Sequence, residues 1–459
     1  MPVKSQVKLS SLFTDNMVLQ QHSEAAVWGW DNPGKPIYIT SSWNKKVYTA
    51  RTDASGKWII KVSTPDAGGP YEISINDGIP VTLSNVLIGE VWLCSGQSNM
   101  EMPMKGFKGT PVLNSNDMIL RSTNKNIRLY IVPRGSSTEP QKNSKASQWK
   151  EANPESVGNF SAAGYYFGKL LNELLNVPIG LINDSYGGSS VEAWMDPSSL
   201  SPFPEINIPS LHDSMKFPNR TPTTLFNAML SPIIGYTIKG TIWYQGESNY
   251  DRPDQYESLF PAMVKRWRAL WGIGDFPFYY AQIAPYNYGL LPPPANTTKL
   301  NSAYIRDAQR KAIDRIPNSG MAVLLDAGEE ENIHPANKKP AGERLALLAL
   351  AKTYGVKGFG FESPSYDSIR VKDGVAEVKF KNAPNWLTSY GKTLNLFEIA
   401  GNDKIFYPAK ATINRSSVMV SSPQVKAPVA VRYAFRDFVT GELFSTEGLP
   451  VSSFRTDNW

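Results

Sequence analysis

Between Ala26 and Ile75 apolar and polar side chains alternate in five short bursts, at 26–30, 37–40, 46–50, 58–62 and 71–75. A period of two puts successive side chains on opposite faces, so each burst predicts a half-buried strand. Asp31-Asn32-Pro33-Gly34 and Asp53-Ala54-Ser55-Gly56 interrupt them with turn formers. The pattern predicts a small antiparallel sandwich that ends near Ser84.

Past Ser84 the texture changes. Strand candidates at 90–93, 127–132, 178–183, 240–244, 276–283 and 321–325 are separated for the most part by helical stretches. At 160–175 and 255–270 apolar residues recur at helical spacing, and 342–351 reads as a helix packed on several sides, with Gly355 as its C-cap. Strands alternating with helices predict an α/β region, a doubly wound parallel sheet whose ligands gather at the carboxyl ends of the strands. From Val356 short strands return, at 369–372, 375–380, 394–399, 409–413, 418–421 and 429–433, with Asp373-Gly374 placed for a tight hairpin. Three regions are expected: 1–87 and 356–459 all-β, and 88–355 between them. Leu291-Pro292-Pro293-Pro294 reads as a stiff surface loop.

Composition narrows the chemistry by exclusion. The 47 basic and 41 acidic residues give a net charge of +6, spread along the chain without a Lys/Arg block, which argues against nucleic acid as a partner. No run approaches the roughly 18 apolar residues of a membrane span. The single cysteine allows no internal disulfide and no Cys/His metal cluster, and nothing else calls for a metal or cofactor. Cys94 lies inside an apolar strand and reads as a small buried hydrophobe rather than a nucleophile. Met1–Gln6 lacks the apolar core of a signal peptide, so the chain is expected to be a soluble, mature form of a secreted or periplasmic protein.

Three strand ends carry polar, glycine-bearing loops: Cys94-Ser95-Gly96-Gln97-Ser98-Asn99, Asp184-Ser185-Tyr186-Gly187-Gly188-Ser189 and Tyr244-Gln245-Gly246-Glu247-Ser248-Asn249. Acyl transfer needs this combination, because glycine lets backbone N–H groups approach a developing oxyanion while side-chain amides stand beside them. Ser98 is the candidate nucleophile. Its base is sought among three histidines, and His334 in Glu331-Asn332-Ile333-His334-Pro335 is the best placed. His22 sits in the β-rich start and His212 in a proline-rich stretch, neither with a partner motif. Oxyanion-hole candidates are the backbone of Ser98, the turn at Gly187 or Gly188, and an amide from Gln245 or Asn249. A neutral His334 as base predicts a rate that falls on acidification near the reference imidazole value of about 6.5.

In order and content, Gly96-Gln97-Ser98-Asn99, Tyr186-Gly187-Gly188-Ser189, Gln245-Gly246-Glu247-Ser248-Asn249 and Ile333-His334-Pro335 resemble the sialate O-acetylesterase family of SGNH-type hydrolases. The resemblance runs from about Gly89 to Tyr354 and resumes in the tail at Phe397–Gly401, Val431–Ala434 and Gly448–Pro450. It implies an SGNH, flavodoxin-like core and removal of O-acetyl groups from sialic acid or other acetylated glycans by a metal-free serine acyl-enzyme route. An acetylxylan-type esterase of the same fold and a glycan-binding protein without turnover are the alternatives; lipid or peptide hydrolysis lacks any visible lid or specificity pocket. One position departs from the pattern. Members commonly carry Asp two or three residues before the histidine, where this chain has Asn332 and Glu331. A carboxylate stabilises the imidazolium and an amide does not, which makes Glu331 the expected triad acid, with Glu330 and Asp326 behind it.

Overall fold

The computed structural model describes residues 7–459 except His212, 293–298 and Leu300. Met1–Gln6, His212 and the prolines Pro293 and Pro294 therefore lie outside the described residues. The chain forms two compact units, Met1–Trp243 with Met263–Phe278, and Tyr244–Ala262 with Tyr279–Trp459.

In the first unit the five alternating bursts all become strands. Glu24–Trp30 pairs antiparallel with Lys57–Ser63, while Pro36–Ser41 pairs antiparallel with Val47–Arg51 and with Gly68–Asn76. The next strand does not stop at Ser84. It runs from Pro80 to Gly96, 17 residues, with its first half antiparallel to Gly68–Asn76 and its second half parallel to Ile179–Ser185. Ile179–Ser185 pairs parallel with Asn124–Ile131 as well, and Lys150–Ala152 adds an antiparallel edge. The sheet is thus mixed rather than purely parallel, because one long strand serves both a hairpin and a crossover. Val18–Gln20, too short to show a pattern, slots in parallel beside Leu87–Gly89.

Packing on this sheet follows the alternation of the long strand. Trp92 and Cys94, two residues apart, meet the Ala162–Leu175 helix: Trp92 lies edge-on to Phe167 at 5.0 Å, and Cys94 Sγ is 3.2 Å from where a β-carbon on Gly164 would sit. Ser161 caps that helix by accepting from the Gly164 N–H. Another cluster joins Trp243 to Trp194 and Trp267, at 6.2 and 5.6 Å and nearly perpendicular. Edge-to-face packing of this kind adds to burial because ring faces are negative and edges positive.

In the second unit residues 279–281 of the strand Phe278–Ala281 lie beside Ser319–Ala322. The apolar run continues to Leu325, but the strand ends at Ala322: the Val323 carbonyl accepts from Arg344, and the Leu325 carbonyl from the Gly441 N–H. The helix Ala303–Ala312 buries Arg306, Asp307 and Gln309 beside Ala303, Ile305, Ala308 and Ala312, so polar side chains interrupt the apolar side that would announce it. Lys339–Leu348 is helical as expected and, after a wide turn, gives way to Gly355 at φ +70°. Two further four-stranded sheets are all antiparallel. One contains the Ser365–Lys372/Val375–Lys381 hairpin, whose turn residues Asp373 and Gly374 are both left-handed, as a two-residue loop of this type requires. The other joins Phe406–Pro408, Phe397–Ala400, Ala430–Tyr433 and Phe454–Arg455. Among the described residues no helix is long and apolar enough to cross a membrane.

Gly89 marks the tightest approach along the long strand, since a β-carbon there would lie 2.1 Å from the Pro178 carbonyl oxygen. Gly89→Ala is expected to destabilise the protein by roughly 1–3 kcal/mol, the usual cost of overpacking against an immovable neighbour. Denaturant unfolding with an unchanged midpoint would show that the backbone there gives way freely.

Candidate functional site

In the first unit the long strand ends at Gly96, whose φ of +137° only glycine adopts without strain. Gln97 follows in extended conformation, and its carbonyl accepts from the Met100 and Glu101 N–H groups, so that Ser98 opens a short helical turn. Ser98 is 9 % exposed. The neighbouring strand Ile179–Ser185 brings in the second loop, tied by the Tyr186 N–H to the Gly96 carbonyl at 3.0 Å. Ser98 and Gly187 come together here: a β-carbon on Gly187 would lie 3.4 Å from Ser98 Cβ and 3.0 Å from a Glu101 carboxylate oxygen.

Glu101 organises this loop, and no sequence pattern pointed to it. It accepts the Gly187 N–H at 2.8 Å and a two-pronged ion pair from Arg134, whose guanidinium lies 4.7 Å from the Tyr186 ring centre. Asn219 donates to the Gly187 carbonyl and Arg220 to that of Gly188. The Gly187 N–H is thus committed to Glu101 rather than left for a ligand. Below the loop Asp184 is fully buried, which pushes its carboxyl well above the ordinary carboxylate range.

In the second unit Gly246 has φ +150°, and a β-carbon there would fall 2.8 Å from Ile283 and 2.9 Å from Gln309. Gln309 acts as the clamp, donating to the Gln245 carbonyl at 2.9 Å and accepting from the Ile283 N–H at 2.9 Å. Gln245 and Asn249 also meet. The Gln245 amide donates to Asn249 Oδ1 at 2.8 Å, which orients the Asn249 NH2 away from it. Both side chains are fully buried.

The histidine loop is braced by Glu329. Glu331 and Glu330 are exposed, whereas Glu329 accepts from Asn332 Nδ2 at 2.9 Å and from the Ala336 N–H at 2.6 Å. Asn332 Oδ1 in turn accepts the His334 backbone N–H at 3.0 Å. Asp326 is occupied by a two-pronged pair with Arg344 at 2.7 and 2.6 Å. His22 pairs with Asp66 at an exposed position. Lys338, four residues beyond His334, is 1 % exposed, and burial lowers its pKa to about 7 against the opposing pull of Glu247 and Glu329. Burial and the nearby Lys338 lower the pKa of half-buried His334 to about 4. That replaces the expectation of an ordinary imidazole value, and the cause is desolvation, which composition does not reveal.

The described geometry has clear relatives. Residues 88–349 match the family described as carbohydrate esterase, sialic acid-specific acetylesterase. The sialate O-acetylesterase of Homo sapiens is 31% identical over 398 residues, covering 79% of this chain and 74% of that protein, and the Mus musculus enzyme is 28% identical over 93% of this chain and 89% of its own. A crystal structure of a carbohydrate acetylesterase from Xanthomonas citri superposes with a TM-score of 0.89 at 35% identity, covering 99% of this chain and all of that one.

His334, lowered to about 4, makes its own contribution to the pH dependence of stability. The unfolded chain takes up a proton as pH drops below 6.5 while the folded histidine does not, so this group's share of stability is full above 6.5 and is lost as pH falls to about 4. An NMR titration of the His334 ring should have its midpoint near 4, and a midpoint at 6.5 would contradict the burial described.

Proposed function

The chain belongs to the sialic acid-specific acetylesterase family of carbohydrate esterases, hence is a carboxylic ester hydrolase, and from that premise we propose a serine acyl-enzyme route centred on Ser98 and His334. The observation that carries the proposal is the Ser98 turn, in which a left-handed Gly96 ends a buried strand and a nearly buried serine follows two residues later. In this reading Ser98 Oγ attacks the acetyl carbonyl and passes its proton to His334. The imidazolium then protonates the departing sugar oxygen, and water repeats the sequence on the acyl-enzyme. Oxyanion donors are the backbone N–H groups of Ser98 and Gly188 and the Asn249 amide, with Gln245 orienting the last of these. The Gly187 N–H contributes through Glu101 by holding the loop.

The substrate in this reading is an O-acetylated glycan, with sialic acid favoured by the names of the mammalian relatives and xylan or other acetylated polysaccharides open to the same chemistry. A flavodoxin-like winding of the core, the three regions 1–87, 88–355 and 356–459, and a secreted or periplasmic location belong to the same proposal. The family match over 88–349 supports the middle region. The location rests on substrate class alone.

Glu331 is the proposed triad acid. Its exposure favours a second reading, in which Ser98 and His334 act as a dyad and Glu329 serves only to hold the loop. An exposed carboxylate is a weak electrostatic partner, whereas a triad acid is buried.

Ser98→Ala should fold normally and lose at least ~10³-fold in acetate release across a panel of acetylated sialosides, xylan and other glycans. Retained turnover rejects the nucleophile. Glu331→Gln should lower kcat strongly with an unchanged melting temperature if it orients the imidazole, and leave kcat nearly untouched if the dyad operates. Glu329→Gln turns one of the two accepting oxygens into an NH2 that cannot accept, so one of the two loop hydrogen bonds is lost and the melting temperature and kcat should fall together under either reading.

A further inference from the structure

In the C-terminal β region a groove of about 810 Å³ is lined by Phe359, Phe361 and Phe380 together with Asn382, Asn385 and Glu447. Its walls are brought together by Gly360, where a β-carbon would strike Glu447 at 2.6 Å, and by Asn385 donating to Glu447 at 2.8 Å. Aromatic rings alternating with amide and carboxylate groups suit a ligand that offers both C–H faces and hydroxyls, and the volume lies within the roughly 300–1,000 Å³ of small-ligand sites.

A second observation comes from the segment that continues out of this groove. Trp386 and Tyr390 are 55 % and 62 % exposed, and both hold left-handed backbone, at φ +76° and +51°. For a bulky residue that conformation is strained, and strain of this kind collects where a ligand is clamped. Both rings are more than half exposed, with Tyr390 5.3 Å from the Phe444 ring. Arg415 stands over the indole at 5.6 Å.

We propose that this groove, with Trp386 and Tyr390 at its edge, is a second glycan-binding site that holds a neutral polysaccharide chain by ring stacking and hydrogen bonding. Neutral sugars are favoured because the residues lining the groove include two carboxylates, Glu362 and Glu447, and no Lys or Arg, so an acidic sugar there would be repelled. Glu362 already holds Lys352 at 2.8 Å, and Glu447 is satisfied by Asn385. The ligand class rests on the glycan reading above, whereas the groove and its strained aromatics do not.

Native gel electrophoresis of the full chain in gels containing de-acetylated xylan, galactomannan or mixed-linkage β-glucan tests it, with a sialylated mucin as the anionic arm. At least one neutral polysaccharide should retard the wild type and Ser98→Ala alike, and Trp386→Gly should weaken that retardation by roughly tenfold in apparent Kd. Trp386→Gly relieves the backbone strain, so its fold should be intact, verified by an unchanged rate on 4-nitrophenyl acetate. Trp386→Phe keeps a ring and should keep binding. No retardation by any neutral polysaccharide, retardation by the mucin alone, or equal retardation of Trp386→Gly and wild type each overturns the proposal. Binding with no acetate release from any acetylated glycan would instead overturn the esterase reading and leave this one standing.

Discussion

An extended chain of 17 residues cannot satisfy its own backbone, and Pro80–Gly96 must find partners along its whole length. It finds them in two directions at once, antiparallel with Gly68–Asn76 and parallel with Ile179–Ser185. That double pairing fixes where Gly96 ends, because the register sets Ser185 opposite Gly96 and so brings the Tyr186-Gly187-Gly188 turn level with Ser98. A slip of one residue would exchange the two faces, sending Trp92 and Cys94 away from the Ala162–Leu175 helix. The serine's position is thus a consequence of sheet register more than of the loop that carries it.

Much of the fold was legible because alternation and helical spacing record which side of an element is buried. The five N-terminal strands, the Asp373-Gly374 hairpin and the Ala162–Leu175 helix were all foreseeable on that ground. What escaped was structure whose burial is not apolar. Ala303–Ala312 buries Arg306, which donates to the Arg436 and Asp437 carbonyls, and no hydropathy pattern marks a guanidinium as an interior residue. The mixed character of the sheet was hidden as well, since strand direction depends on connections made far away in sequence.

The candidate site shows the same divide. Glycine followed by hydroxyl or amide after an apolar run can be read locally, and each such loop proved to hinge on a left-handed glycine: Gly96, Gly188 and Gly246. The residues that brace these loops cannot be read that way. Glu101 reaches Gly187 across 86 positions and Gln309 reaches Gln245 across 64. Within Glu329-Glu330-Glu331 three identical side chains differ only in where the turn points them, and nothing in their sequence singles out Glu329 as the one that braces the loop.

Cys94 sits four residues before Ser98 with no exposed surface, and its burial raises the thiol well above its ordinary range. It is also the only sulfhydryl in the sequence. A thiol-specific alkylating reagent can therefore modify this protein only when Cys94 is uncovered, as when the strand Pro80–Gly96 comes away from the Ala162–Leu175 helix. Labelling under native conditions, followed by mass, becomes an internal clock for opening of the sheet. It also means that inactivation by thiol reagents would report the loss of this packing, and would carry no information about which group attacks the ester.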